Sequence, residues 1–168
     1  MDYTPAVGWP AEPGTQSFPV VQVTWCQAYA YCAWAGKRLC GQIGGGPLAQ
    51  ANAANASVSE WANACSDGGS LAYPYGNTFD SATCGGQLAM SQIANVKTPL
   101  TCVGGFPGLY NMSGNVWEWT NACNNADYCC AMGGAFDGTA VDLACSGVRP
   151  WLMSAPAPNI GFRCCADL

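Results

Sequence analysis

In the stretch GLYNMSGNVWEWT, Gly108 to Thr120, Asn111 and Glu118 offer side-chain oxygens, and glycines permit tight turns that aim the carbonyls of Gly114 and Val116 at the same point. Hard cations such as calcium take roughly six to eight oxygens of this mixed kind. A single carboxylate is a thin supply of charge for such a site, and the competing reading is structural. VWEWT alternates, so Trp117 and Trp119 share one face of a strand, as core residues would, while Glu118 points to the other.

Other chemistry is scarce. The chain has 12 cysteines and no histidine, so no histidine base can serve a serine or cysteine nucleophile. A zinc cage favours Cys-x-x-Cys pairs or histidine; neither occurs, and the even cysteine count reads as disulfides. GQIGGGP lacks the Lys-Ser/Thr ending of a phosphate loop. The acids Asp137 and Asp142 can act as a pair in principle, although solvated loop charges are the simpler account. The sequons at Asn55 and Asn111 are short enough to arise by chance. Five Lys and Arg stand against ten Asp and Glu, without a basic stripe, so nucleic acid is excluded as a partner. No apolar run reaches the roughly eighteen residues that span a bilayer, so no membrane insertion is expected. Disulfides imply a secreted, periplasmic or cell-surface location. The first residues lack a leader pattern, so an exported protein would have lost its leader and Met1 would be an expression start.

The elements that must position these residues read as one α+β domain with long loops. Residues 1–18 form an extended lead-in, and 19–168 a single domain. Pro19 to Val23 reads as a short strand. TWCQAYAYCAWAG reads as a helix, with Thr24 and Gln27 as a capping box and Gly36 as its stop. Trp25, Ala28, Tyr29 and Cys32 would share its buried face. The low-complexity segment from Gly41 to Ala56 leaves its structure open. SVSEWANAC begins a second helix, with Ser57 and Glu60 as the box and Val58, Trp61, Ala62 and Cys65 as the stripe. Short strands follow at Val116 to Thr120, Met132 to Phe136 and Asn159 to Cys165.

GLYNMSGNVWEWT, PVVQVTWCQAYAYCAWAGKRL and the closing NIGFRCCADL together resemble the formylglycine-generating enzyme, or sulfatase-modifying factor, family from about Pro19 to the end. The resemblance implies an elaborated C-type-lectin-like fold with little regular secondary structure, stapled by disulfides. It implies that Asn111, Gly114, Val116 and Glu118 match the family's calcium-binding segment. It also implies disulfides between Cys32 and Cys164, and between Cys65 and Cys145. Local proximity suggests Cys84 with Cys102, and Cys123 with Cys129 or Cys130, Cys130 being the pairing taken forward. Cys164 and Cys165 point to opposite faces of their strand and need different partners, while Cys26 and Cys40 stay unassigned. The lead-in before Pro19 is shorter than the family usually has.

Family oxidases hold copper with two cysteines shortly after a GGSF-like strand, here GGAF, Gly133 to Phe136. The corresponding positions fall near Gly138 and Ala140, neither a cysteine, so copper is not expected. The leading expectation is a non-catalytic extracellular module that binds a protein or cell-surface glycan through the loops before the terminal GFR segment. Its candidate contact residues are Asp137, Thr139, Asp142, Arg149, Trp151 and Met153. Variable receptor-type proteins diversified by retroelements display the same region. The alternatives are a divergent copper oxidase that acts on a peptide cysteine, with Cys145 in a displaced pair, and a structural spacer.

Overall fold

The computed structural model describes residues 17–85, 92–124 and 127–166. Helix α1 (Trp25–Trp34) starts where the Thr24 hydroxyl accepts the Gln27 N–H while the Gln27 side chain accepts the Thr24 N–H. It stops at Ala35, and Gly36 takes the left-handed turn (φ 69°) that a side chain resists. Ala28 and Cys32 are buried, but Tyr29 is 45% exposed. Tyr29 lies on the rim of the helix face, stacked on Trp25 with ring centroids 5.0 Å apart, rather than in the core.

A two-residue ribbon pairs β1 (Arg38–Leu39) with β7 (Cys164–Cys165). The main sheet is built on β3 (Trp117–Cys123), flanked on one side by β4 (Tyr128–Met132) and then β5 (Val148–Leu152), each antiparallel to the strand before it. Along its other side run β6 (Ile160–Phe162), beside the first half of β3, and β2 (Leu48–Ala49), beside its end, both parallel to it. Three short helices complete the elements: α2 (Glu60–Ser66), α3 (Ser81–Cys84) and α4 (Ala140–Leu143).

Each face of the sheet buries its own core, which follows from the two-residue alternation of side chains. Trp117, Trp119, Cys129 and Ala131 pack with Val23, Ala28, Cys32 and Leu39. Ala122, Cys130 and Met132 face the opposite way, against Trp61, Ala62, Cys65 and Met112. With apolar layers on both sides, β3 and β4 lie almost wholly inside the protein.

Several expected elements shift. Pro19 to Val23 forms no strand, because Gln22 adopts φ 57° and donates its N–H to Ala157 O instead of joining a ladder. The strand expected at Met132 to Phe136 lies earlier, as β4, and ends at Gly133 and Gly134 with φ 90° and 68°. The last strand is broken at Arg163, between β6 and β7. The second helix is capped by Ser59, whose hydroxyl accepts the Ala62 N–H, so Ser57 and Glu60 form no capping box. Glu60 turns instead to an ion pair with Arg38 and accepts the Gly41 N–H, and Val58 is only half-buried. Leu48 to Asn52, in the low-complexity segment, is ordered as β2 and a single 3₁₀ turn. Most of the lead-in lies outside the described residues.

Five disulfides close the fold: Cys32–Cys164, Cys40–Cys165, Cys65–Cys145, Cys84–Cys102 and Cys123–Cys129. Cys123 therefore pairs with Cys129, not Cys130. The register sets Cys129 directly opposite Cys123, with Cα atoms 4.0 Å apart, whereas Cys130 faces the other core. Cys26 and Cys130 are free thiols.

The bonds of Cys164 and Cys165 span 132 and 125 residues and nearly coincide. With one intact, the other closes only a short ring of roughly ten residues, worth about 3 kcal/mol, whereas the first closure is worth about 5 kcal/mol. Replacing either pair by alanines should therefore cost about 3 kcal/mol, and replacing both about 8 kcal/mol, more than the sum of the two. Guanidinium unfolding of the three variants checks this; additive losses would contradict it.

Candidate functional site

The segment before β3 turns sharply through three left-handed residues: Asn111 (φ 55°), Gly114 (φ 80°) and Asn115 (φ 61°). Asparagine tolerates this region better than most side chains, and Gly114 requires it, since a Cβ there would lie 2.2 Å from Gly85 O. Asn115 fixes its side chain on the Ala94 backbone, donating to its carbonyl and accepting from its N–H. The Asn111 amide donates to Thr98 O at 3.1 Å, and its Oδ1 is buried with no hydrogen-bond partner.

Glu118 is 5% exposed and fully engaged. It accepts from Trp61 Nε1 at 2.7 Å and from Arg163 through both Nε and Nη2, while Nη2 also donates to Tyr110 O. Burial disfavours the charged guanidinium, but the Glu118 charge and its hydrogen bonds outweigh that and raise the Arg163 pKa. Asn111, Gly114 and Val116 lie in the turn before β3, and Glu118 is the second residue of that strand. The orphaned Asn111 oxygen fits a hard cation or a hydroxyl donor, and among the described residues no hydrogen bond reaches the Gly114 or Val116 carbonyl. The oxygen types are those that calcium takes, while both Glu118 oxygens already accept from Arg163 or Trp61.

The region of the family's copper pair holds no thiol. Gly138 packs under Ala135 and Asp142, and the Ala140 carbonyl accepts the Tyr73 hydroxyl. Cys145 is bonded to Cys65 and offers no second thiolate. The free thiols lie apart in the fold, Cys26 exposed on α1 and Cys130 buried on β4. Burial pushes the Cys130 pKa up to about 11, against the smaller lowering effect of its Gln50 hydrogen bond, so it stays protonated and unreactive at neutral pH.

The six contact residues fall into three groups rather than one cleft. Asp137 is exposed beside Asn159, whose Nδ2 donates to it at 3.3 Å, on the rim of a cavity of about 520 Å³ walled by Phe18, Phe136 and Pro158. Asp142 accepts the Thr139 N–H and hydroxyl, so both are spent on capping α4. Arg149, Trp151 and Met153 belong to β5 and its end. Exposed Arg149 stacks over Trp151 at 4.7 Å and reaches Trp117 at 5.8 Å. The register places Ala131 between Arg149 and Trp119, and Trp117 lies two residues before Trp119 on the same face. Trp151 is half-buried on the core and donates to Ala155 O; Met153 packs on the same core.

A second cavity, of about 510 Å³, lies over Asn111 and Glu118, with Lys37 and Lys97 in its walls. These lysines escaped the sequence reading because they stand 60 positions apart and neither sits in a motif.

The pattern of the sulfatase-modifying factor enzyme 1-like domain matches residues 4–168. The bovine protein named inactive C-alpha-formylglycine-generating enzyme 2 is 32% identical over 185 residues, covering 92% of this chain and 54% of that protein. This chain thus spans about half the length of that relative. Among solved structures, Treponema denticola variable protein 1 superposes with a TM-score of 0.64 at 20% identity, covering 95% of this chain and 73% of that one. PvdO from Pseudomonas aeruginosa gives 0.60 at 19% identity, covering 87% and 60%. At such identities the likeness speaks to the fold.

Glu118→Gln removes the charge that compensates Arg163 and should cost about 3 kcal/mol, whereas Glu118→Met combined with Arg163→Leu should cost less. Equilibrium unfolding compares them; an equal or larger loss in the double variant would contradict the pairing.

Proposed function

Because the chain belongs to the sulfatase-modifying factor family, matched over nearly its whole length, we propose that it is a non-catalytic member that binds a partner protein in an oxidising space outside the cytoplasm. The observation that carries this reading is the commitment of Cys145 to a disulfide beside Gly138 and Ala140, which leaves the copper region without a thiol. The five disulfides support secretion, periplasmic export or surface display. No helix among the described residues is long and apolar enough to cross a membrane.

The binding surface is the β5 edge. Arg149 is held over two indoles, with Tyr128 and Leu152 exposed as register partners nearby. A guanidinium so stacked loses little freedom on binding and presents its donors to a carboxylate or an aromatic ring of a partner. Pro150 removes one donor from this edge, which favours recognition through side chains over strand addition. The same region precedes the terminal GFR segment, where variable receptor-type proteins of similar fold carry their contact residues; this parallel of position supports a role in recognition.

Affinity capture from a surface fraction tests the surface. Recovery of a partner by the wild-type protein should fall at least ~10-fold with Arg149→Glu and be unchanged by Lys37→Glu. Equal recovery by wild type and Arg149→Glu would remove the β5 edge from the reading.

Calcium would act as a structural ion, held by Asn111 Oδ1, the carbonyls of Gly114 and Val116, and the Glu118 carboxylate; its charge would offset the cost of ordering this turn. A site with one shared carboxylate belongs with weak extracellular sites, of Kd roughly 0.1–1 mM. At about 10 mM calcium the melting temperature should rise by about 3–10 °C, and Asn111→Ala should abolish the rise. Differential scanning fluorimetry reads it; no shift in the wild-type protein would contradict the site.

A further inference from the structure

The protein carries a net charge of −5, yet three of its five basic residues, Lys37, Lys97 and Arg163, line one cavity of about 510 Å³. Glu118 is the only acid among the described residues that line it, and it is paired with Arg163. The excess positive charge is therefore that of two exposed lysines, neither in an ion pair among the described residues. Surface lysines in a protein with twice as many acids as bases would ordinarily face carboxylates. Here both face the same cleft.

The walls between them are firm. Lys37 follows the helix stop at Gly36, and its N–H returns to Cys32 O at 2.8 Å, next to the Cys32–Cys164 disulfide. Tyr31 meets Phe162 edge to face at 5.4 Å across that junction. Elsewhere in the lining a turn closed by Thr98 N–H on Asn95 O holds Lys97 at φ 73°, a conformation that L side chains rarely adopt. The turn sets the Lys97 ammonium 5.7 Å from the centre of the Tyr110 ring, and Asn111 ties it down through Thr98 O. Asn111 also lines the cleft and brings its buried, unpartnered Oδ1.

We propose that this cleft binds an acidic sugar, a ring that bears a carboxylate or sulfate group. The two ammonium groups take the anion. Tyr110 and Phe162, both in the cavity lining, offer aromatic faces to the apolar side of the ring. The volume is in the usual range for small-ligand sites, roughly 300–1,000 Å³, and holds one or two such rings. A bare phosphate would leave the aromatic walls unused, and a neutral sugar would leave the lysines unused. The site is separate from the β5 edge, so its failure would not touch that reading. Calcium at Asn111 and Glu118 would add positive charge to the same cleft, but the lysines suffice without it.

Titration calorimetry or ligand-observed NMR tests the site with sodium glucuronate, galactose 6-sulfate and neutral glucose as probes, at low and raised salt and with and without a chelator. At least one acidic probe should bind at least ~10-fold more tightly than glucose, weaken as salt rises, and stay bound in the chelator. The better of the two identifies the anionic group. Lys37→Glu combined with Lys97→Glu, at exposed positions that leave the core intact, should remove the preference, and Arg149→Glu should leave it unchanged. Equal affinity for glucose, an unaltered preference in the lysine variant, or loss of binding in the chelator would each overturn the proposal.

Discussion

The ion pair of buried Glu118 with half-buried Arg163 is the contact on which the rest of the structure turns. Glu118 leaves β3 on the face opposite Trp117 and Trp119, where one carboxylate receives the Trp61 indole from α2 and the Arg163 guanidinium from the break between β6 and β7. Arg163 in turn holds the Tyr110 carbonyl. A charge so deep is tolerated only because every oxygen is met by a donor, and each donor comes from a different part of the chain. Disulfides from Cys164 and Cys165 to Cys32 and Cys40 fix the backbone just beyond Arg163, so the guanidinium cannot drift from its partner. The sheet centre, the second helix, the terminal strands and the turn around Asn111 are thereby one unit.

Much of this was readable in the residues. The Thr24 to Gln27 box and the Gly36 stop delimit α1 from local chemistry, and VWEWT alternates as a strand with one apolar face would, although β3 is buried on both. What failed were readings that depend on partners distant in sequence. Glu60 has the spacing of a capping residue for Ser57, but Arg38 and the Gly41 N–H compete for its carboxylate, and Ser59 caps instead. Pro19 to Val23 has strand composition, but Gln22 bends to meet Ala157. The choice between Cys129 and Cys130 needed the β3–β4 register, which two adjacent cysteines do not reveal. Of the contact residues named before GFR, Thr139 and Asp142 hydrogen-bond to each other at a helix start, and Arg149 lies over Trp151.

The same scaffold accounts for both proposed surfaces. Cross-links and the buried ion pair hold loops that have little regular structure, and side chains fixed on such a base lose little freedom when they bind. Along β5 that side chain is Arg149 over its tryptophans; above Asn111 it is the lysine pair between aromatic walls. Cys145 serves this frame as a staple to Cys65.

Native mass spectrometry of the untreated protein with copper(I), read together with its intact mass, tests the central claim most directly. The account predicts five disulfides, two free thiols at Cys26 and Cys130, and no retained copper. One copper held by two thiols, one of them Cys145, would contradict it and restore the oxidase reading.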